Sequence, residues 1–407
     1  MYNTLNIGEL HIEDIVNQFG TPCYIYSERI IEEKLNLLKE HFKGFDIFYS
    51  FKANPNPHIC RFIKRKGHCA DAASIGELKL ALQCGFQKDE IIYSAPGKTE
   101  KDIEKALGKG IIIADSLNEL RMINEICIRR KVIEDIAVRI NPVYSIEGPN
   151  ALEIMSGLSS KFGIDQETLS GNIDFINSLS HIHIKGIQIY MGSQITNYQI
   201  IYSNFLNIFK VALFCKKELG LELDFIDFGG GFGIQYTEDD PYLNIKKAGE
   251  LVQKLKESND FKELSKLRHI IESGRFICGP AGIYVSKVVD TKESRGKKYA
   301  ILEGGMNTFF RPVFIKENCY PVVVINKANE VKKEKVTLAG VMCTPLDIFE
   351  EDVLLPILSK GDLIAFFNAG AYGYTMSLTK FISHNEAKEV YVTKDKAKLE
   401  NEGDIIQ

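Results

Sequence analysis

Eight short runs of β-branched or aromatic residues, separated by longer amphipathic stretches, constrain the fold of this chain more than any other feature. Strand-like runs that alternate with helical patterns, such as those over 75–85 and 198–220, predict βα units and a parallel sheet. The eight runs are DIFYSF (46–51), GHCAD (67–71), IIYSA (91–95), IIIAD (111–115), IAVRI (136–140), IKGIQIYM (184–191), FIDFG (225–229) and HIIES (269–273). Eight such units predict a (β/α)8 barrel, also called a TIM barrel.

After about residue 282 the pattern changes to strand-rich segments without long helical stretches between them. Such a pattern predicts an antiparallel β-domain. We expect the barrel to cover residues 25–281 and the β-domain to combine residues 1–24 with residues 282–407. Within this domain, KESRGKK (292–298) is predicted to form the turn of a hairpin, and the final residues 394–407 a solvated end.

The composition favours a soluble globular protein. Of the 407 residues, 45% are hydrophobic and 26% are charged, which allows a large core, and the net charge is −4. This balance gives no basic field for nucleic acid, and no apolar run reaches the roughly 18 residues of a membrane span. The N-terminal stretch lacks the features of a signal peptide, so we expect a cytoplasmic protein. Nine scattered cysteines without metal-ligand spacing predict buried thiols and no metal site.

Reactive side chains follow several predicted strands, at the edge where barrel enzymes carry their active sites. Lys52 follows the first strand, where a desolvated ammonium group loses its proton more easily and becomes the nucleophilic amine that a Schiff base requires. The alternative for Lys52 is an ordinary surface lysine. The other residues at strand ends are Asp71, Arg139, Gly192-Ser193-Gln194, the run Gly229 to Gly233, and Glu272 to Arg275.

Two of these segments suggest which cofactor the lysine would meet. The glycine run GGGFG (229–233) lets backbone N–H groups approach an anion, and Arg275 can bind the same phosphate. By itself the run is a weak signal, because its spacing differs from that of known nucleotide-binding loops. Glu272 follows an apolar run and needs a cationic partner, which the pyridinium nitrogen of pyridoxal phosphate would supply. Lysine, phosphate cradle and carboxylate together predict a pyridoxal 5′-phosphate site.

Ten ordered motifs resemble those of the fold type III pyridoxal-phosphate amino-acid decarboxylases, which include the diaminopimelate and ornithine decarboxylases. The resemblance covers almost the whole chain. The motifs are YSFKAN (49–54), DAASIGEL (71–78), RINP (139–142), KFG (161–163), GSQI (192–195), GGGFG (229–233), ESGR (272–275), NTFFRP (307–312), CTPLD (343–347) and GAYGYTMS (370–377). The resemblance implies an alanine-racemase-like barrel joined to a β-domain.

The resemblance also implies residue roles. Lys52 would form a Schiff base with the cofactor, and Glu272 would pair with the ring nitrogen. The residues that would hold the phosphate are Ser193, Gly230, Gly231, Arg275 and Tyr372. Those that would support the lysine and the cofactor are Asp71, Glu77 and Arg139. It further implies a homodimer in which Cys343 and Asp347 of one chain act in the active site of the other, with Cys343 as the acid that reprotonates Cα.

Four departures from the diaminopimelate decarboxylase pattern bear on the substrate. Tyr190 occupies the position of a histidine that stacks on the pyridine ring, and Ser273 replaces a proline. Thr344 replaces an acidic residue that meets the distal amine of the substrate, and a hydroxyl cannot neutralise a buried ammonium. TKFISH (379–384) replaces an asparagine-rich stretch. CTPLD and FISH are similar to family members of specialised pathways, such as siderophore biosynthesis or amino acids tethered to a carrier.

Arg311 occupies the position at which the diaminopimelate enzymes hold the distal carboxylate of their substrate. We therefore expect an α-decarboxylase whose substrate carries a distal carboxylate or acyl group, with Arg311, Thr344 and Asp347 in the substrate site. Decarboxylation of meso-diaminopimelate is the alternative within the family. Three different functions compete with decarboxylation: a non-catalytic regulator that binds pyridoxal phosphate, an amino-acid racemase, and a barrel enzyme that binds a sugar phosphate without this cofactor.

Overall fold

The computed structural model describes residues 5–144, 156–237, 240–315 and 320–399 and divides the chain into two units. The barrel unit comprises Leu35–Gln235 and Pro241–Phe276. The β-unit comprises Met1–Lys34, Tyr236–Asp240 and Ile277–Gln407. Each unit has its own large sheet.

The secondary structure follows the chain in this order. The strands are β1 (Asn6–Ile7), β2 (Leu10–His11), β3 (Cys23–Ser27), β4 (Asp46–Ser50), β5 (Cys69–Ala72), β6 (Ile91–Ser94), β7 (Ile111–Ala114), β8 (Glu134–Asn141), β9 (Ile164–Asp165), β10 (Ile182–Gln188), β11 (Phe225–Asp227), β12 (Arg268–Ser273), β13 (Gly282–Ser294), β14 (Lys297–Leu302), β15 (Val322–Val324), β16 (Glu334–Ala339), β17 (Ile348–Leu355), β18 (Leu363–Phe366), β19 (Lys388–Val392) and β20 (Ala397–Leu399). The helices are α1 (Ile12–Phe19), α2 (Glu28–His41), α3 (Pro57–Arg65), α4 (Ile75–Gln83), α5 (Glu100–Ala106), α6 (Leu117–Arg130), α7 (Gln166–Gly171), α8 (Ile173–Asn177), α9 (Tyr198–Lys217), α10 (Ile245–Lys256), α11 (Arg275–Cys278) and α12 (Arg311–Ile315).

Eight parallel strands close into a barrel in the barrel unit. Strands β4 to β8 pair in chain order, β12 pairs with β4, and β11 lies between β12 and β10. Pairing of β10 with β8 closes the ring, and the two-residue strand β9 adds to β8 outside it. Each of the eight predicted strand runs forms one of these strands, so the predicted (β/α)8 barrel is confirmed.

The barrel interior is filled by one apolar side chain from each of seven strands. These residues are Phe48, Cys69, Ile92, Ile113, Ala137, Phe225 and Ile270. The eighth strand, β10, carries Gly186 near this layer, where an added Cβ would lie 2.2 Å from the Phe225 ring. A glycine therefore leaves the space that the phenylalanine ring fills, as close packing of the core requires.

Local sequence signals fix the helices next to the active-site strands. Asn56 caps α3 by accepting hydrogen bonds from His58 N–H and Ile59 N–H, and Pro57 is the first helical residue. Ser74 caps α4 by accepting from Glu77 N–H. On the long helix α9, the Phe205 ring stacks on Phe228 at 4.8 Å between ring centroids. Burial of each such ring contributes about 1.5–3 kcal/mol to folding.

The β-unit contains a sheet with the strand order β17-β16-β14-β13-β3-β19-β20, and β18 pairs with both β13 and β15. The N-terminal strand β3 belongs to this sheet because it pairs with β13 and β19. Most pairs are antiparallel as predicted, but β14 with β16 and β3 with β19 are parallel. The sheet is therefore mixed.

The two turn predictions for the β-unit have different outcomes. The hairpin between β13 and β14 turns at Arg295 and Gly296, which have φ angles of 52° and 80°, so the predicted turn is confirmed. The predicted solvated end is wrong for residues 397–399, which form strand β20 against β19. Its side chains Ala397 and Leu399 pack on the apolar core of the unit, which explains the extra strand. Residues 400–407 lie outside the described part of the chain.

Within the described ranges, no helix combines the length and apolar character that a bilayer span requires.

Candidate active site

Lys52 lies at the carboxyl end of β4, in a single 3-10 turn over Phe51–Ala53. Its Nζ lies 3.1 Å from Oδ2 of Asp71, at the end of β5, and 5.5 Å from the centre of the Tyr190 ring. The lysine side chain is 39% exposed, whereas the Asp71 side chain is 1% exposed. The amine is thus accessible and is held by a buried carboxylate.

Glu77 supports the loop that follows β5. It lies in the first turn of α4, and its Oε2 accepts a hydrogen bond from Ala73 N–H at 2.7 Å. Burial raises the pKa of the Glu77 carboxyl to about 7, and the negative charge of Asp71 adds to the increase. Lys52 acts in the opposite direction. Glu77 therefore belongs to the same electrostatic cluster as the lysine and Asp71.

A turn of three glycines follows β11. Gly229 and Gly231 have φ angles of 60° and 91°, which favour glycine. A Cβ on Gly230 would lie 2.0 Å from the backbone oxygen of Glu272, and one on Gly231 would lie 2.2 Å from the backbone oxygen of Gly192. Side chains at these positions would fill the turn. Backbone left bare in this way can approach a bound phosphate closely.

Two side chains add to this anion cradle. Arg275 follows β12 and donates a hydrogen bond from Nη2 to Oγ of Ser193 at 3.1 Å. Ser193 follows β10, so the contact joins the loops of two strands that are not adjacent in the barrel. A guanidinium and a hydroxyl beside bare backbone are suited to a phosphate dianion.

Glu272 lies inside the carboxyl end of β12 and is 2% exposed. Its Oε1 accepts a hydrogen bond from Nε2 of Gln188 at 2.5 Å, and the same Nε2 lies 3.4 Å from Oδ2 of Asp227. Burial, followed by the charge of Asp71, raises the pKa of Glu272. An anionic carboxylate in this position requires a nearby cation, and a protonated pyridine nitrogen satisfies that requirement.

Arg139 is a buried cation on β8. It is 7% exposed, its Nε lies 4.0 Å from Oδ1 of Asp115, and its guanidinium lies 4.5 Å from the centre of the Phe162 ring. Among the described residues its Nε has no hydrogen-bond partner. Arg139 is one of the positive groups that act on the Glu272 carboxyl.

The remaining predicted site residues lie in three loops of the β-unit that hydrogen-bond with one another. Oδ1 of Asp347 accepts from Met306 N–H at 2.7 Å, and its Oδ2 accepts from Met342 N–H at 2.8 Å. Leu378 N–H donates to the backbone oxygen of Met306 at 3.2 Å. The segments 304–312, 342–347 and 372–383 therefore form a loop cluster.

Asp347 is 2% exposed, and both of its oxygens are occupied by backbone donors. The sequence expectation is a contact with substrate, whereas these contacts give Asp347 a part in holding the loops together. Cys343 is exposed, whereas the other cysteines in the described ranges are buried. Thr344 accepts a hydrogen bond from Leu346 N–H at 3.3 Å through its hydroxyl.

Arg311 is a second buried arginine, 9% exposed, at the start of α12 in the β-unit. Its guanidinium lies 5.2 Å from the centre of the Tyr372 ring, and its Nη1 contacts Sδ of Met376 at 3.8 Å. Tyr372 has a positive φ of 59°. Within the described part of the chain, Arg311 has no acidic partner, and its Nε has no hydrogen-bond acceptor.

Sequence reasoning missed the polar residues behind Glu272, which are Ser94, Gln188 and Asp227. Ser94 Oγ donates to Oε1 of Gln188 at 3.0 Å, and Gln188 Nε2 lies 3.4 Å from Oδ2 of Asp227. A signal for them was present, since Gln188 and Asp227 are polar residues within otherwise apolar strand runs. Such residues are rarely buried unless they are hydrogen-bonded.

The barrel residues fit pyridoxal phosphate. Lys52 supplies an amine, the glycine turn is a cradle that any Cβ would fill, and Glu272 is a buried carboxylate that needs a cation. These three features match the aldehyde, the phosphate and the ring nitrogen of the cofactor.

Comparison with known proteins agrees with this geometry. Residues 28–279 match the family model described as pyridoxal-dependent decarboxylase, pyridoxal binding domain. The chain is 33% identical over 396 residues to the L-glutamyl-[BtrI acyl-carrier protein] decarboxylase of Niallia circulans, and the match covers 95% of this chain and 92% of that protein. It is 31% identical over 403 residues to the diaminopimelate decarboxylase of Aquifex aeolicus, covering 96% and 92%.

A solved structure shows the same architecture. The crystal structure of diaminopimelate decarboxylase from Helicobacter pylori complexed with L-lysine superposes with a TM-score of 0.86 at 27% identity and covers 96% of each chain. The match extends through both units, so the predicted fold class and cofactor are confirmed. The chain belongs to the pyridoxal-dependent decarboxylase family, with pyridoxal 5′-phosphate as its cofactor and carboxy-lyase chemistry as its activity.

Proposed function

We propose that this enzyme removes the α-carboxylate from an amino acid whose side chain carries a distal carboxylate or acyl group. The observation that carries the proposal is Arg311, a buried guanidinium without an acidic partner among the described residues. Its guanidinium contacts a thioether and an aromatic ring, and neither neutralises a charge. A distal carboxylate or acyl oxygen of the substrate would supply the missing acceptor.

The energetics favour an anion over a neutral ligand. A buried charge without a partner is costly, whereas a bidentate pair between guanidinium and carboxylate satisfies two donors at once. A thioester or amide carbonyl would offer one neutral oxygen, so it would gain less from Arg311. The size of the Arg311 contribution therefore distinguishes a free distal carboxylate from an acyl group joined to a carrier.

The barrel residues prepare the cofactor site in this proposal. Bound pyridoxal phosphate supplies an electron-accepting ring that allows an amino acid to lose its α-carboxylate. Lys52 supplies the amine that holds the cofactor, and the buried Asp71 carboxylate positions that amine at 3.1 Å. Glu272 presents negative charge to the ring nitrogen. Arg275, Ser193 and the glycine turn bind the phosphate, and the face of Tyr190 provides a neutral stacking surface.

We further propose that Cys343 donates the proton to Cα and that it does so in the active site of a second copy of the chain. Its exposure supports the proposal, because a thiol can serve another chain only from the surface. Leu346 in the same loop is 58% exposed, and Phe314 and Ile382, also in the β-unit, are 62% and 44% exposed. Exposed apolar side chains of this size are suited to a protein interface.

Two relatives suggest different substrates. The Niallia circulans protein is named for glutamate on an acyl-carrier protein, which supports a carrier-bound amino acid as the substrate. The diaminopimelate decarboxylases support the alternative, a free amino acid with a second carboxylate, and Arg311 fits that substrate directly. Thr344 favours the first candidate, since its hydroxyl cannot neutralise a distal ammonium.

The experiment is a substrate panel with purified enzyme and pyridoxal phosphate, measuring CO2 release and the mass of the amine product. meso-Diaminopimelate and lysine form the matched pair, because they differ by the distal carboxylate. Free glutamate and glutamate on an acyl-carrier protein form a second pair. We expect turnover of meso-diaminopimelate or of carrier-bound glutamate and little turnover of lysine. Preferential turnover of lysine or ornithine would contradict the proposal.

A further inference from the structure

Behind the cofactor carboxylate lies a second buried acid that the proposed function does not use. Asp227, at the end of β11, has 0% exposure, and Glu272 has 2%. Nε2 of Gln188 contacts both carboxyl groups, at 2.5 Å from Oε1 of Glu272 and 3.4 Å from Oδ2 of Asp227. Two buried carboxyl groups this close to each other do not both ionise near neutral pH. The geometry therefore requires one proton in the pair.

The partners of the pair show where the remaining negative charge resides. Gln188 donates from Nε2 to Oε1 of Glu272 at 2.5 Å and lies 3.4 Å from Oδ2 of Asp227. Its amide orientation is fixed because Ser94 Oγ donates to its Oε1. Glu272 thus receives the shorter of the two amide contacts, and a carboxylate accepts such short bonds better than a neutral acid does.

Asp227 also joins the pair to the phosphate cradle. Its Oδ1 accepts a hydrogen bond from Gly229 N–H at 2.9 Å, and Gly229 begins the glycine turn. Gly229 O accepts from Glu272 N–H at 2.8 Å, so backbone and side chain link the same two segments. A carboxyl that lies beside Glu272 and accepts from the glycine turn can fix the position of the ring-nitrogen site relative to the phosphate site.

The charged groups around the pair agree with a single negative charge. Asp71 adds negative charge, whereas Lys52 and Arg139 add positive charge. Burial and the neighbouring Glu272 together raise the pKa of Asp227 well above its usual range, which agrees with the proton position that the Gln188 contacts indicate. Like charges in contact inside a protein do not both ionise near neutral pH.

We propose that Asp227 is a positioning residue that shares one proton with Glu272, so that the pair carries one negative charge and ties the cofactor carboxylate to the glycine turn. This role depends on the cofactor and is independent of the substrate. A purely structural alternative is that Asp227 only accepts the Gly229 hydrogen bond and that its protonation is irrelevant.

Variants at position 227 test the positioning role in full-length protein. Asp227→Asn keeps an acceptor for Gly229 and a donor for Glu272, whereas Asp227→Leu has a similar volume but neither group. Cofactor affinity is measured by titrating apoprotein with pyridoxal phosphate. We expect Asp227→Leu to bind about 10- to 100-fold more weakly, and Asp227→Asn to stay within about threefold of the wild type. Equal affinity for wild type and Asp227→Leu would overturn the role.

Infrared spectroscopy of the full-length apoprotein tests the proton itself. We expect the spectrum of wild type minus that of Asp227→Asn at neutral pH to show the C=O band of one buried carboxylic acid, because the bands of other buried carboxyls, such as Glu77 and Glu350, are present in both proteins and cancel. In Glu272→Gln burial still raises the pKa of Asp227, so the band should persist, but its frequency should shift because the proton no longer lies beside a carboxylate. A difference spectrum without the band would overturn the proposal, as would a band with the same frequency in wild type and in Glu272→Gln. These two spectra decide the question even if Asp227→Leu fails to fold.

Discussion

The carboxyl ends of the barrel strands and the loop cluster of the β-unit differ in whether their charged side chains have partners. In the barrel, Lys52 is paired with Asp71, and Glu272 lies next to Gln188 and Asp227. In the loop cluster, the buried Arg311 has no acidic partner within the described ranges, and Cys343 is exposed. The cofactor site is therefore largely satisfied by one chain, whereas the groups proposed to act on the substrate still need an anion and a second chain.

Replacement of Lys52, in the barrel site, is expected to have the largest effect on activity. Lys52→Ala removes the amine that holds the cofactor and leaves the buried Asp71 without its cation. We expect a loss of decarboxylation greater than about 10⁴-fold. The measurement is CO2 release, together with the absorbance of the Schiff base between Lys52 and the cofactor, which should be lost. A cofactor that becomes covalently attached to the variant on borohydride reduction would contradict the role of Lys52.

Replacement of Cys343 should affect proton donation without affecting the barrel. For Cys343→Ala we expect decarboxylation to fall by about 10²- to 10⁴-fold, while cofactor affinity stays unchanged. Cys343→Ser is the matched control, because it keeps the size of the side chain but has a far weaker acid. Full activity with the normal product in both variants would remove Cys343 from the mechanism.

Replacement of Arg311 should have a smaller effect on activity, and this effect tests how the distal group of the substrate is recognised. For Arg311→Met we expect kcat/KM to fall by about 10²- to 10³-fold with a substrate that has a free distal carboxylate, because a buried ion pair is broken. Arg311→Lys keeps the charge but lacks the fork of donors, so its loss should be intermediate. An equal loss of kcat/KM for meso-diaminopimelate and for a monocarboxylic amino acid would show that Arg311 does not recognise the distal carboxylate.

The smallest expected effect concerns stability and compares one carboxyl from each unit. Burial raises the pKa of Glu350 in the β-unit to about 8 and that of Glu77 in the barrel to about 7. A carboxyl whose folded pKa is raised contributes stability at low pH that is lost as the pH rises through the folded value. The free energy of unfolding should therefore fall as the pH rises from about 4.5 to about 8.

Glu350→Gln removes that ionisation in the β-unit. The free energy of unfolding of this variant, relative to that of the wild type, should therefore be higher at about pH 9 than at about pH 5, by on the order of 2 kcal/mol. Denaturant unfolding at several pH values measures the difference. Glu77→Gln is the corresponding variant in the barrel, where the loss of stability that accompanies ionisation of Glu77 should be complete at a lower pH. The same stability difference between Glu350→Gln and wild type at every pH would contradict the burial of an ionisable Glu350.

The barrel was predictable because its strands are nearly continuous apolar runs and its reactive residues follow those runs. Lys52, the glycine turn and Glu272 each carry a local signal. Strand β9 has two residues and no such signal. The contact between Asp227 and Glu272 was not predictable either, since it arises from the pairing of β11 with β12 at barrel closure.

The β-unit was harder to predict because its order depends on distant pairings. Strand β3 joins β13 and β19, which lie hundreds of residues later in the chain, and two pairs of the sheet are parallel. The motif CTPLD identified a loop but did not distinguish its residues. The structure shows the exposed Cys343 and the buried Asp347 in that one loop, with opposite environments.

The central claim is that a barrel site complete within one chain is served by a cysteine from another. The most direct test mixes equal amounts of the Lys52→Ala and Cys343→Ala variants and then dissociates and reassociates the subunits. If the site is shared across a two-fold dimer, about a quarter of the sites regain both residues, and activity returns to that fraction of the wild type. If each chain uses its own cysteine, no site regains both, and the mixture stays as inactive as the separate variants.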